Sequence, residues 1–126
     1  MSNLFDRLVA KTPDLSVKAI ENIDGKIFSY GDLFALSAQI AHTLVAHGVK
    51  PGDRVAAQVE KSVPALVLYL ATVRAGAVYL PLNTAYTLAE LDYFISDAEP
   101  SLIVCDPSSE TGLSTLAAKV GAKVLT

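Results

Sequence analysis

The sequence predicts an α/β fold: an open, mostly parallel sheet built from successive βαβ units, with an N-terminal helix and a β-hairpin in front. Three observations carry this. Four short β-type runs recur, Arg54–Val59, Ala77–Leu80, Leu102–Cys105 and Lys123–Thr126. Their centres, near Val55, Val78, Ile103 and Val124, lie 23, 25 and 21 residues apart. Helical patterns fill the gaps, and parallel neighbours need a crossover of that length. The chain has 126 residues, 52% hydrophobic and 18% charged, which is enough apolar surface for one packed core and one domain.

The elements follow in order. Val17–Glu21 and Lys26–Ser29 flank Asn22-Ile23-Asp24-Gly25, and Asp-Gly between two β-type runs signals a hairpin. Residues 1–30 thus read as a helix and hairpin, and 31–126 as the βαβ series. Ser29 with Asp32 three residues on forms a capping arrangement with aspartate in place of glutamate. Leu33, Leu36, Ile40 and Leu44 then share one helical face, and Gly48 stops the helix. Ser62 opens the next helix, with Pro64 early enough to be tolerated. That helix is apolar almost all round, so it is expected to be buried on more than one side. Thr87 with Glu90 is a fuller capping box. Leu88, Leu91, Ile95 and Ala98 give its inward stripe, and Pro100 marks the exit. In Val73–Asn83 a helix stops at Gly76, Val78 and Leu80 fill the sheet, and Pro81 turns the chain out at a strand's carboxyl edge.

Composition excludes several classes. Net charge is −3 and no Lys/Arg cluster occurs, so nucleic acid is not an expected partner. The single cysteine, Cys105, permits no internal disulfide and fits a reducing, cytoplasmic setting. The first residues show no signal-peptide pattern. Val63 to Leu82 carries one charge, Arg74, and is about the ~20 residues a membrane span needs. Pro64, Gly76 and Pro81 break it, however, and a buried helix followed by a strand explains it better.

Candidate chemistry is sparse. His42 and His47 lie five apart on one helix, about 140° around its axis, and do not face one ligand. Cys105 ends a strand with no base beside it and reads as a structural thiol. Asp106-Pro107-Ser108-Ser109 reads as a turn into a helix, with Ser108 or Ser109 as its cap. Glu90 is explained by capping, and Asp92, Asp97 and Glu99 by a solvated face. Lys61 follows a strand's carboxyl end just before a helix start, where an anion could sit. A surface lysine paired with Glu60 is the competing reading. There is no Walker A sequence, no GxGxxG and no glycine-rich loop able to cradle a triphosphate.

Three stretches carry a family resemblance. Phe28-Ser29-Tyr30-Gly31-Asp32-Leu33 resembles the first core motif of the adenylate-forming enzymes, which include acyl-CoA synthetases, peptide-synthetase adenylation domains and luciferases. Gly48-Val49-Lys50-Pro51-Gly52-Asp53-Arg54-Val55-Ala56 resembles the turn and strand that follow there. Val73–Asn83 resembles their second core motif. Within the family the likeness is closest to malonyl-CoA synthetases. It rests on Val59-Glu60-Lys61-Ser62, Ala65–Ala71, Tyr79–Thr87 and Glu90-Leu91-Asp92-Tyr93-Phe94-Ile95.

The resemblance implies a two-step reaction. ATP and a carboxylate give an acyl-adenylate and pyrophosphate, and coenzyme A then takes the acyl group as a thioester. Magnesium assists by offsetting phosphate charge. The family's phosphate loop, its pockets and its mobile C-terminal domain have no counterpart in residues 1–126. The resemblance therefore assigns no catalytic, cofactor-binding or metal residue, and no cofactor bound by this chain alone. On this reading the chain is a single N-terminal subdomain of a ligase, inactive by itself. Its partners are the remainder of the synthetase, or another copy through an open sheet edge, and malonate or a related short acid is the substrate of the whole. The alternative is a free-standing, non-catalytic α/β module that complements a separate chain.

Overall fold

A computed structural model describes residues 27–126 in full and the backbone of 18–21. The expected N-terminal helix and the Asn22–Gly25 turn lie outside the described residues. Strands β1 (Lys18–Glu21) and β2 (Ile27–Ser29) pair antiparallel as the hairpin requires, with a register slip between Lys18 and Ile20.

The series then runs α1 (Tyr30–Ala46), β3 (Arg54–Gln58), α2 (Val63–Arg74), β4 (Val78–Pro81), α3 (Leu88–Ala98), β5 (Leu102–Cys105), a 3-10 turn (Pro107–Ser109), α4 (Glu110–Val120) and β6 (Lys123–Leu125). The four later strands form one sheet in the order β4-β3-β5-β6, parallel throughout. The apolar run Val63–Leu82 is thus divided between α2 and β4. No helix among the described residues is long and apolar enough to cross a membrane.

Strand alternation sorts the core into two faces. Val55, Ala57 and Leu102 join Ala41 and Leu44 of α1 and Leu68 and Ala71 of α2 on one side. Ala56, Ile103 and Cys105 join Leu91 and Ile95 of α3 and Leu113, Leu116 and Ala117 of α4 on the other. The period of two in the strands delivers each apolar side chain to one face or the other. Helix α2 has a second buried side: Val63, Val67 and Leu70 pack with Leu33 of α1. This accounts for its apolar circumference.

Caps and turns decide where elements begin and end. The Ser29 N–H donates to Asp32 Oδ2 and the Asp32 N–H to Ser29 Oγ, both at 3.0 Å. Thr87 and Glu90 close the same box on α3, and Ser62 Oγ accepts from the Ala65 N–H. Lys50-Pro51-Gly52-Asp53 is a type II turn: the Asp53 N–H donates to the Lys50 carbonyl, and Gly52 has φ +86°. At the end of α2, the Gly76 N–H donates to Val73 and the Ala77 N–H to Thr72, the paired bonds of a Schellman motif. Gly76 sits at φ +76°, and a Cβ there would lie 3.4 Å from Pro51 Cβ. The Gly52 N–H also donates to the Gly76 carbonyl at 2.9 Å, so the two turns dock on each other.

Four expectations are corrected. Leu36 is exposed; the inward stripe of α1 is Leu33, Ser37, Ala41 and Leu44. Ser37 is tolerated inside because its Oγ donates to the Phe34 carbonyl. Leu88 is 59% exposed, because the first turn of α3 overhangs the sheet and rests against Gly112 of α4. Val78 does not fill the sheet: it is 52% exposed at the start of edge strand β4. Neither Ser108 nor Ser109 caps α4 with its side chain; the 3-10 turn supplies a Ser109 N–H to Asp106 carbonyl bond instead.

Candidate functional site

Strand order places a topological switch point between β3 and β5. From β3 the chain crosses by α2 to β4 on one side, then returns past β3 to β5 and moves on to β6. Ligands of open α/β sheets bind outside the carboxyl ends of the strands, at such a point. Three clefts lie on that edge here.

The first cleft, about 390 Å³, lies between the ends of β3, β5 and β6 and helices α1 and α2. Ile40, Thr43, Glu60, Pro64, Cys105 and Leu125 are among its lining. The second, about 590 Å³, lies outside β3 and β4 and is lined by Lys61, Tyr79, Asn83, Thr84 and Tyr86 with Glu60. The third, about 330 Å³, lies on the α3/α4 side, between Gln58, Thr84 and Tyr86 and Ser108, Ser109 and Gly112.

The candidates read from sequence separate on this frame. Lys61 reaches the second cleft, exposed, and makes no ion pair with Glu60 among the described residues. Cys105 is buried, and burial foremost, then Glu110 and Asp106, pushes its thiol above the ordinary value. Both effects disfavour the thiolate, the nucleophilic form. Tyr79 packs edge-to-face on Tyr69 with ring centres 5.3 Å apart, and burial raises its phenol likewise. His42 is exposed on α1, away from the edge. The His47 ring Nδ1 lies 2.8 Å from the Thr43 carbonyl, so its Nδ1–H serves the end of α1. Glu90 caps α3. Asp92 bridges to Lys119 at 3.2 Å and accepts from Ser96, while Asp97 and Glu99 are solvated.

Among the described residues, no group of three or more His, Cys, Asp or Glu side chains comes together as a metal site. The sequence has no glycine-rich phosphate loop. Sequence reasoning missed Gln58, Asn83 and Thr84. Gln58 is a buried amide at the end of a strand otherwise apolar beyond Arg54, and that break in the pattern is the one signal that pointed to it.

The fold and its edge define a doubly wound α/β protein with its clefts at the switch point. The chain belongs to the AMP-binding enzyme family, whose pattern matches residues 5–125. Among solved structures it is similar to MatB from Rhodopseudomonas palustris, determined with ATP bound. The TM-score is 0.94 with 63% identity, over 97% of this chain and 24% of that one. An acyl-CoA synthetase of Brucella canis shares the fold at 22% identity and a TM-score of 0.87. Curated relatives include malpinin synthetase of Mortierella alpina, 37% identical over 117 residues, 92% of this chain and 2% of that protein. Enterobactin synthase component F of Escherichia coli O157:H7 is 38% identical over 104 residues, 82% of this chain and 8% of that protein. The chain thus spans about a quarter of MatB and less than a tenth of these curated relatives.

Proposed function

We propose that this chain is the N-terminal part of an ATP-dependent acyl-CoA synthetase that converts malonate and coenzyme A to malonyl-CoA, with AMP and pyrophosphate as products. The supporting observation is the 63% identity to MatB across nearly the whole chain, against 33–38% to the peptide synthetases. It agrees with the sequence resemblance to malonyl-CoA synthetases. The role of residues 1–126 in this reading is scaffolding. They build one wall of the enzyme and bring no catalytic group, cofactor ligand or metal ligand.

The test has two arms. The purified 126-residue protein is expected to release no pyrophosphate from ATP in a malonate-dependent way; turnover would overturn the scaffolding role. The product of the whole open reading frame that contains this chain is expected to release pyrophosphate with malonate. Activation of an amino acid in place of malonate would overturn the substrate assignment and leave the family intact.

A further inference from the structure

We infer that Gln58 is a positioning residue: its buried amide fixes the Asn83–Tyr86 loop as the shared wall of two clefts at the carboxyl edge of the sheet. Gln58 is the last residue of β3 and only 5% exposed. Its side chain follows Ala56 onto the α3/α4 side, as strand alternation requires. There its Nε2 donates to the Asn83 carbonyl at 3.1 Å.

Asn83, Thr84 and Ala85 are all exposed, and exposed connecting loops are ordinarily the mobile part of a fold. This one is held. The Leu82 N–H donates to the Ala57 carbonyl at 2.8 Å, which anchors the loop's entrance to β3. Inside the loop, the Ala85 N–H donates to Asn83 Oδ1 at 2.8 Å and the Tyr86 N–H to the Asn83 carbonyl at 3.1 Å. Those last two bonds tie the loop to itself. The Gln58 bond ties that closed turn to the sheet.

A buried amide is costly unless it is bonded, and a methionine would fill the same space without that cost. What the amide adds here is therefore its bond, and the bond ends on the loop. Thr84 and Tyr86 line both the second and the third cleft. A wall fixed in advance lowers the ordering cost of any ligand that meets it. The inference does not depend on malonate being the substrate.

Amide hydrogen exchange on the 126-residue chain tests this. In Gln58→Met, the Ala85 and Tyr86 amides are expected to exchange about tenfold faster, with the Val55, Ala56 and Ile103 amides unchanged. Asn83→Asp keeps both acceptor oxygens and is expected to stay within about twofold of the parent at the same two amides. In the unsubstituted chain, the Gln58 side-chain amide protons are expected to exchange at least about tenfold slower than those of a free glutamine. Unchanged protection at Ala85 and Tyr86 in Gln58→Met would overturn the inference, as would an equal rise across the sheet. If Gln58→Met does not fold, the side-chain protons decide: exchange at the free rate overturns the inference, and slowed exchange supports it.

Discussion

Cys105 shows how one side chain links packing to solution behaviour. It belongs to the α3/α4 core with Ile103 and Leu113, and burial with nearby Glu110 and Asp106 disfavours the thiolate. The folded state therefore holds the proton more tightly than the unfolded chain. The resulting stability is full below the unfolded thiol's value, ~8.5, and is lost as pH rises from there through the raised folded value. Thermal melts between pH 8 and 10 are expected to fall more steeply for the parent than for Cys105→Ala, whose alkaline limb should flatten. Parallel curves would contradict this. At pH 8, alkylation of Cys105 should track unfolding by denaturant. The burial of this thiol was legible in the sequence, since a cysteine ending an apolar strand has nowhere to go but the core. The burial of Ser37 and Gln58 was not legible. A polar residue is normally read as exposed, and only the bonds to the Phe34 and Asn83 carbonyls explain why these two are inside.

At the level of elements, turns and caps carry most of the information that the sequence declares. The Ser29, Ser62 and Thr87 caps form at the expected positions, and each strand ends within a residue of its apolar run. The errors at Leu36, inside α1, and at Leu88 and Val78, the first residues of α3 and β4, arise because helical or strand period alone does not say how far the opposing layer reaches. Two glycines separate local geometry from packing. Gly76 holds φ +76° and abuts Pro51, so Gly76→Ala meets both left-handed strain and contact with a rigid ring. A loss of roughly 1–2 kcal/mol is expected. Gly112 lies within α4, and the nearest atom an added Cβ would meet is Leu88 Cδ2, at 3.0 Å. Leu88 is a largely exposed, flexible side chain that can swing aside, so helix propensity decides the sign. Gly112→Ala is expected to stabilise by up to about 1 kcal/mol. Urea midpoints of the two variants should move in opposite directions. Destabilisation by both would mean that Leu88 is held more firmly than its exposure indicates.

For the molecule as a whole, the sheet has two unlike edges, and this governs how the chain behaves alone. The β4 edge ends in Pro81, which has no N–H to offer, and it lies beside the braced Asn83–Tyr86 loop. Among the described residues the β6 edge has no such guard. Lys123, Val124 and Leu125 pair only with β5 among the described residues, and the apolar first cleft, with Leu125 in its wall, opens beside them. The family was legible from the sequence because its signatures are turns and caps, which are local. The clefts were not, because β3, β4 and β5 each contribute a loop and only the sheet brings these together. An unguarded strand edge beside an apolar cleft is a template for pairing with another chain. Sedimentation velocity on the purified 126-residue protein is therefore expected to show an average mass that rises with concentration across the micromolar to millimolar range. Association through backbone edges and apolar surface should change little with added salt, since exposed charges are what salt screens. A compact monomer that persists at the highest concentration would show that β6 is guarded in solution, and loss of association in salt would place the contact on charged side chains instead.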